Sequence, residues 1–257
     1  MKLARMTSPD VDALPRDTVV VFPVASLEQH STHLPVYTDT MIGQECVDRL
    51  DARMGDRILL LPVLWLGYSQ HHMKYAGTIS ASSETHLAMM FDVLASMASH
   101  GFTRVLLVNT HGGNEANIAV LLQRVMTDLD RIQVVACTPY GGPNENAMED
   151  IQEAGKKGSG HAGETETSMI LAINPDCVKP ENFHIDGQTA LPNVSGVKVY
   201  QRMDQRTSQG AIGDSRAATA EKGERFFEAC VDNLEQICLH IIAGTIYDSK
   251  ENSAPFC

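Results

Sequence analysis

The chain of 257 residues is 43% hydrophobic and 20% charged, an ordinary globular composition that calls for one domain spanning residues 1–257. A formal charge of −12 leaves no basic face to track phosphates, so nucleic acid is not an expected partner. Six cysteines without CxxC spacing, an N-terminus lacking an apolar signal core and the lack of any membrane-length apolar run point to a cytoplasmic protein with reduced thiols and no membrane partner.

The run Thr18-Val-Val-Val-Phe-Pro-Val-Ala-Ser26 is apolar and β-branched and ends in small residues, the pattern of a strand buried on both faces. Residues 57–66, 103–109 and 131–137 read the same way. Helices are expected between them, over 39–54, 83–100 and 114–130, the last with Asn114 as its cap. Strands alternating with helices of this length make an α/β fold with a parallel sheet and crossover helices. Beyond Tyr140, residues 141–146 and 155–160 are turn-rich and polar, the place for a lid or an inserted loop. Further helices are expected over 164–173 and 217–243. Residues 249–257 show no apolar periodicity.

Buried parallel strands deliver functional residues at their C-terminal ends, and the polar clusters fall there. The first strand runs into Glu28-Gln29-His30, where i, i+2 spacing in extended chain turns a carboxylate and an imidazole the same way. Asp39 follows at the start of a helix, favoured by the helix dipole and free to bridge two ions. The third strand ends in Asn109-Thr-His-Gly-Gly-Asn114, a His followed by glycines that let backbone amides approach a ligand. His161-Ala-Gly-Glu-Thr-Glu166 adds another His and two carboxylates at a helix start. Mixed nitrogen and oxygen donors suit Zn²⁺, Mn²⁺ or Fe²⁺ better than Ca²⁺ or Mg²⁺, and two such ions bridged by Asp39 and a hydroxide would be a hydrolytic centre. The pair His71-His72 looks metal-like, but neighbours in extended chain point apart, so it reads as pocket-lining or structural.

Taken in order, Ser26-Leu-Glu-Gln-His-Ser-Thr-His-Leu-Pro-Val-Tyr-Thr-Asp39, Ala76-Gly-Thr-Ile-Ser80, Asn109-Thr-His-Gly-Gly-Asn114, Gly160-His-Ala-Gly-Glu-Thr-Glu-Thr-Ser168 and the segment from Gly210 to Gly223 resemble the creatininase family of metal-dependent amidohydrolases. The resemblance spans nearly the whole chain. It implies a three-layer αβα fold with a mostly parallel central sheet, and a homohexameric assembly. It also implies that Glu28, Asp39 and His111 hold one divalent metal and that His30 and Asp39 hold a second. The family's namesake places a Glu two residues after the metal-binding His, where this chain has Gly113; Glu166 is the replacement ligand, with Glu164 in reserve. His161 becomes the general acid/base that protonates the departing nitrogen after metal-bound hydroxide attacks an amide carbonyl. Amides near Gly112 and Gly113 would stabilise the oxyanion. Ser69, with Tyr68, His71 and His72 around it, matches the family's substrate pocket, although a polar turn after the second strand would read the same way.

The implied reaction is hydrolysis of an amide or cyclic C–N bond in a small molecule. Where the namesake encloses creatinine with tryptophans, this chain has Lys156-Lys-Gly-Ser-Gly160, and its single tryptophan is Trp65, so the expected substrate is not creatinine. The alternatives are hydrolysis of a C–C bond in a cyclic sugar-derived ketone, and a non-catalytic metal- or ligand-binding protein on the same scaffold.

Overall fold

A computed structural model describes residues 1–140, 145–155, 158–187, 194 and 196–246. Four parallel strands form the central sheet: β1 (Val19–Val24), β2 (Ile58–Leu60), β3 (Arg104–Asn109) and β4 (Gln133–Cys137), in the order β2-β1-β3-β4. Alternation along β1 splits its side chains between two cores. Val19 and Val21 pack under α2 (Thr38–Met54), α6 (Glu164–Ile173) and α7 (Ala220–Ala243), while Val20, Phe22 and Val24 pack under α3 (Ser83–Ser99) and α4 (Glu115–Asp128). All six β1 residues are buried, as a strand covered on both faces must be. The short helices α1 (Ser8–Asp12) and α5 (Glu145–Ile151) and a two-stranded antiparallel pair, β5 (Ile185–Asp186) with β6 (Gly213–Asp214), complete the described elements.

The strand order explains both the layering and the position of the polar clusters. From β1 the chain crosses to one side, to β2, and then returns past β1 to β3 and β4. Crossovers between parallel strands are right-handed, so reversing the direction of travel moves the connecting helix to the opposite face. Accordingly α2 lies on one face, and α3 and α4 on the other. The reversal makes a switch point between β1 and β3, the crevice where open α/β sheets place ligands. The C-terminal ends that open there carry Glu28 to His30 and Asn109 to His111.

Several boundaries differ from the sequence expectation for local reasons. β2 stops at Leu60 instead of Leu66 because the register slips: Leu61 N still donates to the Val21 carbonyl, but with one extra residue on this side it is Leu64 that takes the next bonds, to Pro23 and Ala25. β4 begins at Gln133, after Arg131 adopts φ 66°. Asn114 does not cap α4: its backbone is helical, and its side chain bonds the amide of Tyr68, the carbonyl of Ala25 and Asn109 Oδ1, tying three strand ends together. α7 starts at Ala220, three residues late, where Thr219 accepts from the Lys222 amide. The turn-rich stretch after Tyr140 contains α5; residues 141–144, 156–157 and the tail from 249 to 257 lie outside the described residues. Cys46, Cys137, Cys177, Cys230 and Cys238 are free thiols. Among the described residues no helix is long and apolar enough to cross a membrane.

Candidate metal centre

Asp39 sits in the first turn of α2, drawn against the end of β3 by a close helix–strand approach. A Cβ at Gly43 would lie 2.9 Å from Thr110 Oγ1, so a glycine one turn into α2 allows Thr110 to donate to the Asp39 carbonyl at 2.9 Å. The Asp39 carboxylate then diverges: Oδ1 faces His30 Nε2 at 3.1 Å and Oδ2 faces His111 Nδ1 at 3.1 Å. Ser26 Oγ donates to Oδ2 at 2.5 Å and holds the carboxylate in that orientation. Glu28 Oε1 lies 3.3 Å from His111 Nδ1, and Glu166 Oε2 lies 3.6 Å from His30 Nε2.

Both imidazoles turn their outer nitrogens to backbone carbonyls. His30 Nδ1–H donates to the Glu28 carbonyl at 3.1 Å, leaving a lone pair on Nε2 toward Asp39. His111 Nε2–H donates to the Tyr68 carbonyl at 3.1 Å, with Ser69 Oγ at 3.2 Å, leaving a lone pair on Nδ1. This is the tautomer control that metal-ligating histidines require. Gly113 makes it fit, because a Cβ there would fall 2.3 Å from His111 Nε2 and 2.4 Å from the Tyr68 carbonyl.

The electrostatics call for a cation. Burial opposes charge on His30, but Asp39 overrides it and raises the imidazole to about 9. Burial likewise opposes charge on His111, and Glu28 overrides it. Glu28 and Asp39 are held below the usual carboxylate range against burial, by His111 and His30 respectively. Protons therefore occupy the places where a metal would supply positive charge. Glu28 is 1% exposed, and its Oε2 has no partner among the described residues, an orphan that burial makes costly. The donor set and the orphan oxygen fit divalent cations. Two groups of side chains here, Glu28 with His30 and His161 and His30 with Asp39 and Glu166, each bring their ligand atoms within 4.8 Å of one another.

His161 enters from the loop before α6. Its Nε2–H donates to the Gln29 carbonyl at 2.9 Å, which turns Nδ1 toward Glu28 Oε1 at 3.5 Å. Burial, reinforced by His30, lowers it to about 3, so its facing nitrogen is a neutral base. Ala162 and Ser31, which follow His161 and His30, have φ of 52° and 59°, and backbone strain of this kind collects at functional sites. Ala162 N donates to Glu166 Oε2 at 2.6 Å. Glu164, the reserve ligand, points elsewhere: it accepts from the amides of Glu153 and Ala154 and from Lys222 Nζ at 2.7 Å, and it anchors the preceding loop.

The residues expected to contact substrate divide into two groups. Gly112 is exposed and Gly113 and Tyr68 are half-buried, all at the centre's edge. Ser69 and His72 are buried behind the candidate ligands. His72 Nδ1 accepts from Gln29 Nε2 at 2.8 Å, so its proton sits on Nε2, 3.4 Å from Glu28 Oε1, where it steadies that carboxylate. Gln29 and Ser26 were missed by the sequence reading. Gln29 joins His72 to the Gly210 carbonyl at 2.8 Å, and both it and Ser26 lie within the segment that carried the metal-ligand candidates.

Comparison with known proteins places this geometry in context. The family model for creatinine amidohydrolase matches residues 4–238. A mycofactocin precursor peptide peptidase of Mycolicibacterium smegmatis is 30% identical over 235 residues, covering 85% of this chain and 85% of that protein. The creatinine amidohydrolase of Pseudomonas putida is 26% identical over 234 residues, covering 85% of this chain and 87% of its own. A solved manganese form of creatininase superposes with a TM-score of 0.76 at 25% identity, covering 92% of this chain and 96% of that one.

Proposed function

The chain belongs to the creatininase family of amidohydrolases, and from that premise we propose that it hydrolyses an amide or cyclic C–N bond of a small molecule other than creatinine, at a two-metal centre. The carrying observation is the divergence of the Asp39 carboxylate, one oxygen toward His30 and the other toward His111. In this reading Asp39, Glu28 and His111 would hold one ion, and Asp39, His30 and Glu166 would hold the other. Mixed nitrogen and oxygen donors favour Zn²⁺, Mn²⁺ or Fe²⁺. When bound, the ions polarise the scissile carbonyl and raise the acidity of water at the site.

The chain's own groups do the rest. His161, neutral and anchored through Nε2, takes a proton at Nδ1 and returns it to the departing nitrogen. In the same reading the amides of Gly112 and Gly113, beside His111, would meet negative charge on the carbonyl oxygen. A cavity of ≈ 280 Å³ adjoins Glu166 on the side of α5 and is lined in part by Tyr140, Gln152, Ser159 and Thr165. We assign the protein to the cytoplasm, as a homohexamer whose mass light scattering on the purified protein checks.

Elemental analysis of protein purified without chelator tests the centre directly. About two equivalents of transition metal are expected per chain, with a sharp fall in Glu28→Ala. No metal in the wild type after reconstitution with Zn²⁺ or Mn²⁺ would overturn the reading. With the metal established, hydrolysis of cyclic amides, formamides and short peptides identifies the bond cleaved.

A further inference from the structure

The two adjacent histidines after β2 have different surroundings. They lie on a 3-10 turn, Gln70–His72, where successive side chains diverge by about 120°, so both approach Glu28 without sharing a direction. Their rings meet edge to face, with centroids 4.2 Å apart. His72 has no lone pair to offer the centre, since Gln29 uses its Nδ1 and its Nε2–H points at Glu28. His71 is half-buried, and neither of its ring nitrogens has a hydrogen-bond partner among the described residues. A ligand atom of His71 lies within 4.8 Å of those of Glu28 and His111.

Two observations point to an ion between these three side chains. The first is Glu28 Oε2, a buried carboxylate oxygen without a partner among the described residues. The second is Gly113: a Cβ there would lie 2.8 Å from His71 Cε1, so the missing side chain is what lets the His71 ring settle near-parallel to His111, at 19° and 5.8 Å. Resting on the metal-centre reading above, we propose that His71 is a direct ligand of the ion held by Glu28 and His111. The site then gains an imidazole from the turn after β2, and Gly113 serves as the clearance for that ring.

Cobalt titration of metal-free protein tests this apart from activity. Wild type is expected to bind about two Co²⁺, with the visible absorption of each bound ion recorded during filling. In His71→Ala one equivalent should weaken by about 100-fold or more, beyond the usual loss for a residue that only orients a ligand, while the other equivalent fills normally. X-ray absorption on the loaded protein should count fewer imidazoles per metal. His71→Glu, which restores a donor, should recover the second equivalent with a shifted spectrum. That variant also serves if the alanine variant fails to fold. Normal affinity for both equivalents and an unchanged spectrum in His71→Ala would overturn the ligand assignment and leave the two-metal centre standing. No Co²⁺ bound to wild type would instead overturn the centre itself.

Discussion

Buried histidines occur in two settings in this molecule, and the contrast shows what makes a centre. His30 and His111, at the ends of β1 and β3, are buried against carboxylates, and both are driven toward the charged form despite burial. His86 in α3 and His33 beyond β1 are equally buried, but no carboxylate among the described residues faces them, and each is lowered to about 4 by burial first, reinforced by a neighbouring imidazole. Burial opposes charge in both settings, and an imidazole joins a site that attracts cations only where the carboxylates around it outweigh burial, as Asp39 does at His30 and Glu28 at His111.

Removing Asp39 would convert the first setting toward the second and carries the largest expected effect. In Asp39→Ala, His30 and His111 lose their common partner, and two cations would face each other without a bridge. Both metal equivalents and all activity should disappear together. Full metal retention in elemental analysis would refute the bridging role.

His161 sharpens the comparison, because it lies among the carboxylates yet is lowered like His86. Its Nε2–H is tied to a carbonyl and its Nδ1 lies 3.5 Å from the Glu28 oxygen, an arrangement suited to moving a proton. His161→Ala should keep its metal and lose rate by roughly 10²–10⁴-fold. A normal turnover number would reduce His161 to a packing residue. A smaller effect is expected at Ser69, whose hydroxyl meets the outer nitrogen of His111 and not the one facing the centre. Ser69→Ala should weaken metal binding by about 10-fold, since the Tyr68 carbonyl still holds the ring. Unchanged affinity would mean that the carbonyl alone sets its orientation.

The strands and their polar ends were legible because both depend on local pattern. Apolar β-branched runs mark buried strands, and Glu28, His30 and His111 follow them directly. The early end of β2 was not legible, because it comes from a register slip against β1 between Leu61 and Leu64. Nor was the choice between Glu166 and Glu164: two residues apart on a helix, they point about 200° apart, and only the packing of α6 and Lys222 decides which one faces the centre. His71 was set aside on the premise of extended chain, and the 3-10 turn removes that premise. Ser26 and Gln29 owe their roles to partners distant in sequence, such as the Gly210 carbonyl, which no periodicity reports.

The smallest effect concerns the uncharged setting and has a definite sign with pH. Ser83 Oγ donates to Asn117 Oδ1, so the Asn117 amide must donate to His86 Nδ1, and His86 carries its proton on an Nε2 with no partner among the described residues. A second proton would break the bond from Asn117 and bury a cation without an anion. The folded imidazole therefore titrates near 4, against 6.5 in the unfolded chain. Above about pH 7 both forms are neutral and the group contributes no pH dependence; as pH falls through the window from 6.5 to 4, the unfolded chain takes up the proton first and stability is lost. The loss amounts to about 1–2 kcal/mol between pH 7 and pH 5. His86→Asn keeps an acceptor for Asn117 but cannot be protonated, so urea unfolding at the two pH values should show a loss smaller by that amount than in wild type. Identical pH dependence in the two would show that His86 titrates in the fold as it does in the unfolded chain, and that burial without a carboxylate does not separate the two settings.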